Sequence, residues 1–98
     1  MEFEWDENKN RVNKLKHDVG FESAVGVFED PFELTEFDEF VDGEERWKTL
    51  GMVQPWSVLV VVHVERDRRD RSVIRIISAR AATRDERTRY GKNRREDR

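Results

Sequence analysis

The sequence predicts an α+β domain: a twisted antiparallel sheet with N-terminal helices packed on one face and a short C-terminal helix. Three observations carry that prediction. Two runs rich in valine and isoleucine, Trp56 to Val64 and Ser72 to Ala79, flank a polar stretch and read as paired strands. Upstream, Phe21, Ala24, Val25 and Phe28 repeat at the spacing of one helical face. The chain has 98 residues, enough for one domain and too few for two. The domain is expected over residues 1–90, with 91–98 a charged, disordered tail.

Taken in order, Phe3 and Trp5 alternate with Glu2, Glu4 and Asp6, the pattern of a short strand with one buried face. Asp6 can cap a helix reaching about His17, because its carboxylate accepts from the free amides of the first turn. Val12 and Leu15 mark that helix's inner side; Lys9, Arg11, Lys14 and Lys16 make the rest basic and solvated. Gly20 breaks it, and the second helix ends at Asp30-Pro31. Phe32, Leu34 and Phe37 suit an edge strand, while Glu36, Asp38, Glu39 and Asp42 suggest a charged loop. Arg46 to Leu50 reads as a strand, Gly51 to Pro55 as a turn or bulge, and Trp56 to Val64 as a central strand. Arg66 to Asp70 is polar enough for a hairpin loop. Thr83 and Glu86 have the spacing of a capping box for a final helix to about Tyr90.

Composition restricts the functional classes. Hydrophobic residues are only 36% of the chain and charged ones 42%, so either part of the chain is loop or tail or part of its surface is covered by a partner. There is no cysteine, which excludes disulfides and thiolate metal sites. No apolar run is long enough to span a bilayer, and Met1 leads into acidic sequence rather than a signal peptide, so a cytoplasmic protein without membrane attachment is expected. Residues 1–45 hold 15 acidic and 4 basic side chains, whereas 46–98 hold 15 basic and 7 acidic. Such a split suggests that one face meets nucleic acid or another anion.

The charged residues inside strands are the candidates for chemistry. Strict alternation puts Arg75 with Val73, Ile77 and Ala79, and Arg80 with Ile74, Ile76 and Ser78. His63 falls with Leu59 and Val61, where packing alone would explain it. The sharper reading gathers His63, Arg46, Arg75 and Arg80 around a phosphate, whose oxygens suit the arginine fork. The two histidines give no zinc spacing, and there is no glycine-rich phosphate loop, so neither a metal nor another cofactor is expected.

These residues carry a family resemblance. Phe3-Glu4-Trp5-Asp6, Lys16-His17, Phe21-Glu22 and Val27-Phe28-Glu29-Asp30-Pro31 look like the opening of a BrnT toxin. Gly43-Glu44-Glu45-Arg46, Val60 to Arg66, Ile74 to Thr83 and Glu86-Arg87 continue the match. Asp18-Val19-Gly20 departs from it, since many members place glycine directly after the histidine. The resemblance implies a RelE-like fold and the toxin of a bacterial type II toxin–antitoxin pair. It further implies a ribonuclease that inhibits translation, a BrnA-like antitoxin partner, and toxin–antitoxin hetero-oligomers containing a toxin dimer. The site residues it implies are Lys16, His17, Arg46, Arg75 and Arg80, with His63 and Glu65 behind them.

The expected reaction is metal-independent RNA cleavage by the ribose 2′-hydroxyl, needing proton transfer and positive charge on the phosphorane. Arg46, Arg75 and Arg80 would neutralise the phosphate, His17 or His63 would move the proton, and Lys16, Arg84 and Arg87 would hold the RNA backbone. Two rival readings use the same residues: a non-catalytic nucleic-acid binder, and a protein-interaction domain whose Trp47, Trp56 and Phe40 cover a partner.

Overall fold

A computed structural model of the chain describes residues 1–54 and 57–96. Strand β1 (Glu2–Glu4) leads into helix α1 (Glu7–His17), the short helix α2 (Phe21–Ala24) and a 3-10 turn over Val25–Glu29. Strands β2 (Leu34–Val41), β3 (Glu44–Val53), β4 (Ser57–Arg68) and β5 (Arg71–Ala81) follow, then helix α3 (Arg84–Glu96). The α+β class is as predicted, with one correction: β1 pairs with β5 in parallel, so the antiparallel sheet has one parallel edge. The order across it is β1-β5-β4-β3-β2.

Helix α1 starts where the sequence places it, with Asp6 Oδ1 accepting from the amides of Asn8 and Lys9 at 2.8 and 3.2 Å. Its inner side is not Val12 and Leu15, which are 58% and 86% exposed, but Asn10 and Asn13. The reason lies in β5. Since β1 pairs only with Val73 to Arg75, the next stretch of β5 has an open edge. Asn13 fills it, donating to the Ala79 carbonyl at 2.7 Å and accepting from the Ala79 amide at 3.2 Å. A side-chain amide thus replaces a strand, as buried backbone groups require. Asn10 likewise accepts from the Phe21 amide. The break after α1 comes before Gly20: Asp18 caps the helix at φ 58°, the left-handed conformation that glycine adopts most readily.

Both hairpins are tighter and longer than predicted. The charged segment after Leu34 is strand as far as Val41, turned by Asp42 and Gly43 at φ 51° and 76°. Arg69 and Asp70, at φ 50° and 67°, make the β4–β5 turn, so the polar loop expected at Arg66 to Asp70 narrows to two residues. Positive φ at both central residues matches the right-handed strand twist. Strand β3 runs on through Gly51 to Val53 instead of turning there. A Cβ at Gly51 would lie 2.7 Å from the Val27 backbone oxygen, so glycine is what lets the 3-10 turn rest on β3.

Two clusters form the core, one on each face of the sheet. On the first, Phe21, Ala24 and Val27 pack against Leu59, Val61, Ile76 and Ala79. The three-residue period of the 3-10 turn puts Val27, rather than Val25 or Phe28, in line with Phe21 and Ala24. On the other face Leu50, Val60, Ala82 and Tyr90 meet beneath α3. The capping box forms as predicted: the Glu86 amide donates to Thr83 Oγ1 at 3.2 Å, and the Thr83 amide to Glu86 Oε1 at 2.8 Å. Helix α3 passes the expected end at Tyr90 and is helical to Glu96, which corrects the disordered tail over 91–96. Asn93 donates to the Phe32 carbonyl and the Arg94 guanidinium lies 5.1 Å from the Phe32 ring, tying the extra turns to the body. Residues 97 and 98 lie outside the described residues, as do Pro55 and Trp56.

Candidate nucleic-acid interface

The β2–β3 and β4–β5 pairings each contain a bulge, and the second regroups the candidate arginines. Val62 pairs with Ser78 but His63 with Ile76, so Ile77 is an extra residue on β5. An extra residue reverses the inside–outside alternation beyond it. Arg75, paired with Val64, and Arg80, paired with Val60, therefore share a face, contrary to strict alternation. Arg46 lies one residue beyond the Trp47–His63 pair on β3, which puts Arg46, Val64 and Arg75 in one row across three strands. Helix α3 packs on the Leu50–Val60 row, four residues further along β3. The arginine row thus lies toward the open end of that face.

His63 does not join them. It faces the opposite side, 5% exposed, with its ring 5.1 Å from that of Phe28 and Nε2 2.8 Å from Thr49 Oγ1. Burial pushes its pKa down to about 4, so the ring is neutral at pH 7. Contrary to the grouping expected from the sequence, His63 is packed on the face opposite Arg46, Arg75 and Arg80. Glu65 is also on the far face.

The arginines differ in what already holds them. Arg80 grips Glu86 through both terminal nitrogens at 2.7 and 2.9 Å, anchoring α3 to β5 through the capping box. That contact holds the Glu86 carboxyl at about 2. Arg75 donates to Glu4 at 2.7 Å, and Arg68 takes both oxygens of the same carboxylate. The hydrogen bond from Arg68, then that from Arg75, draws Glu4 down to about 2. Arg46 makes no ion pair among the described residues, and its Nε is buried without a hydrogen-bond partner. Lys48, two residues along β3 on the same face, lies 4.0 Å from Glu36. Sequence reasoning missed it, although its alternation with Arg46 was visible.

Lys16 and His17 are placed elsewhere but close to the same face. Together with Lys9 and Val12 they line a groove of about 300 Å³ between α1 and β5 whose floor is Ile77 and Ser78. Ser78, two residues from Arg80, joins this groove to the arginine face. Arg84 and Arg87 are exposed on the first turn of α3, and Arg87 donates to the Ala82 carbonyl at 2.9 Å. A groove of about 540 Å³ between Phe32 and α3 is lined by none of the predicted site residues. Among the described residues no three His, Asp or Glu side chains gather as metal ligands do, and no helix is long and apolar enough to cross a membrane.

Comparison with known proteins bears on this arrangement. A crystal structure of the Brucella abortus ribonuclease toxin BrnT superimposes with a TM-score of 0.62, covering 86% of this chain and 99% of that one. Identity over the match is 20%, so the likeness is one of fold. No curated protein matches the sequence. The family model described as "Ribonuclease toxin, BrnT, of type II toxin-antitoxin system" matches residues 5–86. The chain therefore belongs to the BrnT family of ribonuclease toxins from type II toxin–antitoxin systems, a class whose members are made to be held by an antitoxin.

Proposed function

We propose that this chain is a cytoplasmic endoribonuclease of RelE-like type, which inhibits translation and is silenced by a BrnA-like antitoxin in a hetero-oligomer. The observation that carries the reading is the row Arg46–Val64–Arg75, in which one guanidinium has no carboxylate partner among the described residues. An unpaired arginine on a sheet face is disposed to accept a phosphate, and Arg75 can exchange its single Glu4 contact for one. The groove of Lys16 and His17, which reaches Ser78 on β5, adds further basic side chains near this face.

In this scheme the ribose 2′-hydroxyl attacks the adjacent phosphorus, and the bond to the next nucleotide's 5′-oxygen breaks. The products are a 2′,3′-cyclic phosphate and a 5′-hydroxyl. Arg46 and Arg75 stabilise the charge on the pentacovalent oxygens, where fixed donors act most strongly. With His63 buried, His17 is the histidine left to carry the proton between the two oxygens. Arg80 is mainly a positioning residue, keeping α3 clear of the arginine row through Glu86. Lys16, Arg84 and Arg87 hold the RNA backbone.

The test is cleavage of a defined single-stranded RNA, with analysis of the product ends and parallel induction in cells without antitoxin. Cyclic-phosphate ends and growth arrest are expected, and Arg46→Ala should lower the cleavage rate about 100-fold. Salt-dependent binding without cleavage would favour the non-catalytic binder instead.

A further inference from the structure

On the face opposite the arginine row, the outer corner of the sheet carries a second surface with no role in RNA chemistry. We propose that the free edge of β2 and the Phe37–Phe40–Trp47 corner dock an extended, basic segment of the antitoxin. That segment would add a strand to the sheet and seat a lysine or arginine against Phe40 and Trp47. The inference rests on membership of a type II toxin family and not on the ribonuclease scheme.

Four observations converge on this corner. Strand β2 ends the sheet, so no strand among the described residues pairs with the backbone groups on its outer side. The bulge at Asp38 puts Phe37 and Phe40 on one side, with ring centroids 5.4 Å apart, and Phe37 lies 5.6 Å from Trp47. Phe37 is 47% exposed and Phe40 65%, an unusual load of aromatic surface for so small and so charged a protein. Beside them Phe40 and Trp47 wall a cup of about 370 Å³ with Glu44, Glu45 and Glu65 at its rim.

Charge selects the occupant. Residues 33–45 hold seven carboxylates and no basic side chain. Glu45 and Glu65, on the same face as Phe40 and Trp47, and Asp42 at the adjoining turn are exposed and make no ion pair among the described residues. A polyanion is repelled here, so the aromatic rings are no platform for RNA bases. Pairing of β2 with β2 of another copy would set carboxylate against carboxylate. A basic strand meets neither obstacle: its backbone completes the edge ladder, its apolar side chains cover Phe37 and Phe40, and a cation fills the aromatic, acid-rimmed cup.

The experiment uses the full chain and its antitoxin. Hydrogen exchange of amides 34–41 should slow at least about tenfold in the complex. Phe40→Asp should weaken antitoxin binding about 100-fold, the scale of a central aromatic anchor. The surface variant Glu45→Lys/Glu65→Lys, which disturbs no packing, should weaken it about tenfold and flatten its salt dependence. Growth arrest without antitoxin should persist in both variants, so a failure of this proposal is distinct from a failure of the ribonuclease reading. Unchanged affinity in Glu45→Lys/Glu65→Lys together with unprotected β2 amides overturns the proposal. So does a homodimer of the free chain that Phe40→Asp dissociates, since a second copy would then be the occupant.

Discussion

His63 and Val64 are neighbours on β4 and face opposite sides of the sheet. His63 looks into a layer closed by Phe28 and the 3-10 turn, where an ionisable ring survives only by staying neutral. Val64 looks out under the arginine row, and it too is fully buried. Long arginine stems can shield an apolar floor while their heads stay wet, so the charged face is also a packed one. The difference between the faces is in how charge is treated: removed on one, paired on the other. Among the described residues, six of the eight ion pairs join an acid from the first 45 residues to a base from the rest. Much of the charge split in the sequence is thus spent on holding the fold together, and among Arg46, Arg75 and Arg80 only Arg46 makes no ion pair with a described residue.

The sharpest test of that contrast is pH. His63 has its folded pKa depressed to about 4 from 6.5, so above pH 6.5 neither state binds the proton and its contribution is complete. As pH falls below 6.5 the unfolded chain takes up a proton that the native ring refuses, and stability drops until about pH 4. The full loss is about 3 kcal/mol, at 1.36 kcal/mol per unit. Glu4 and Glu86, both held at about 2, lose their contribution only as pH falls below the ordinary carboxylate range. Urea unfolding between pH 7 and 4.5 therefore isolates the packed face. His63→Met should remove most of the slope in that window; an unchanged slope would place the sensitive group elsewhere.

The boundary between the faces gives the next largest effect. Asn13 seals the β5 edge with two hydrogen bonds to Ala79, and Asn13→Ala leaves both backbone groups buried and unsatisfied. A loss of about 2–4 kcal/mol is expected on denaturant unfolding. Leu15→Ser, on the exposed side of the same helix, should stay within about 0.5 kcal/mol. Equal losses in the two variants would restore the apolar reading of α1.

What the sequence shows of this molecule is mostly what is local. Asp6 and the Thr83–Glu86 box specify helix starts through contacts three residues apart, and the valine run of β4 declares a buried strand. Asp42-Gly43 is an equally local hairpin signal, which the reading of this segment as a charged loop did not use. The bulges at Asp38 and Ile77 have no comparable signature, yet they decide which side chains share a face. Strict alternation consequently separated Arg75 from Arg80. Asn13 is the same lesson in a helix: a polar residue faces inward because a strand far along the chain needs a partner. For the candidate site, the residue types were legible and their grouping was not.

The smallest expected effect concerns the turn that ends α1, where a residue other than glycine takes a left-handed conformation. Asp18 takes φ 58° at the end of α1, a conformation that costs an L residue about 1–2 kcal/mol and aspartate somewhat less. Its negative charge also sits at the end of a helix dipole that favours cations. Asp18→Gly relieves both, against the larger entropy that glycine gives the unfolded chain. A net gain of about 0.5 kcal/mol follows, a rise of about 2–4 °C in Tm for a domain of this size. Asp18→Asn removes the charge and keeps tolerance of the left-handed region, whereas Asp18→Ala removes the charge but not the strain. Ordering Gly above Asn, with Ala lowest, would show that backbone conformation dominates at this turn. An Ala variant as stable as Asn would assign the effect to charge alone.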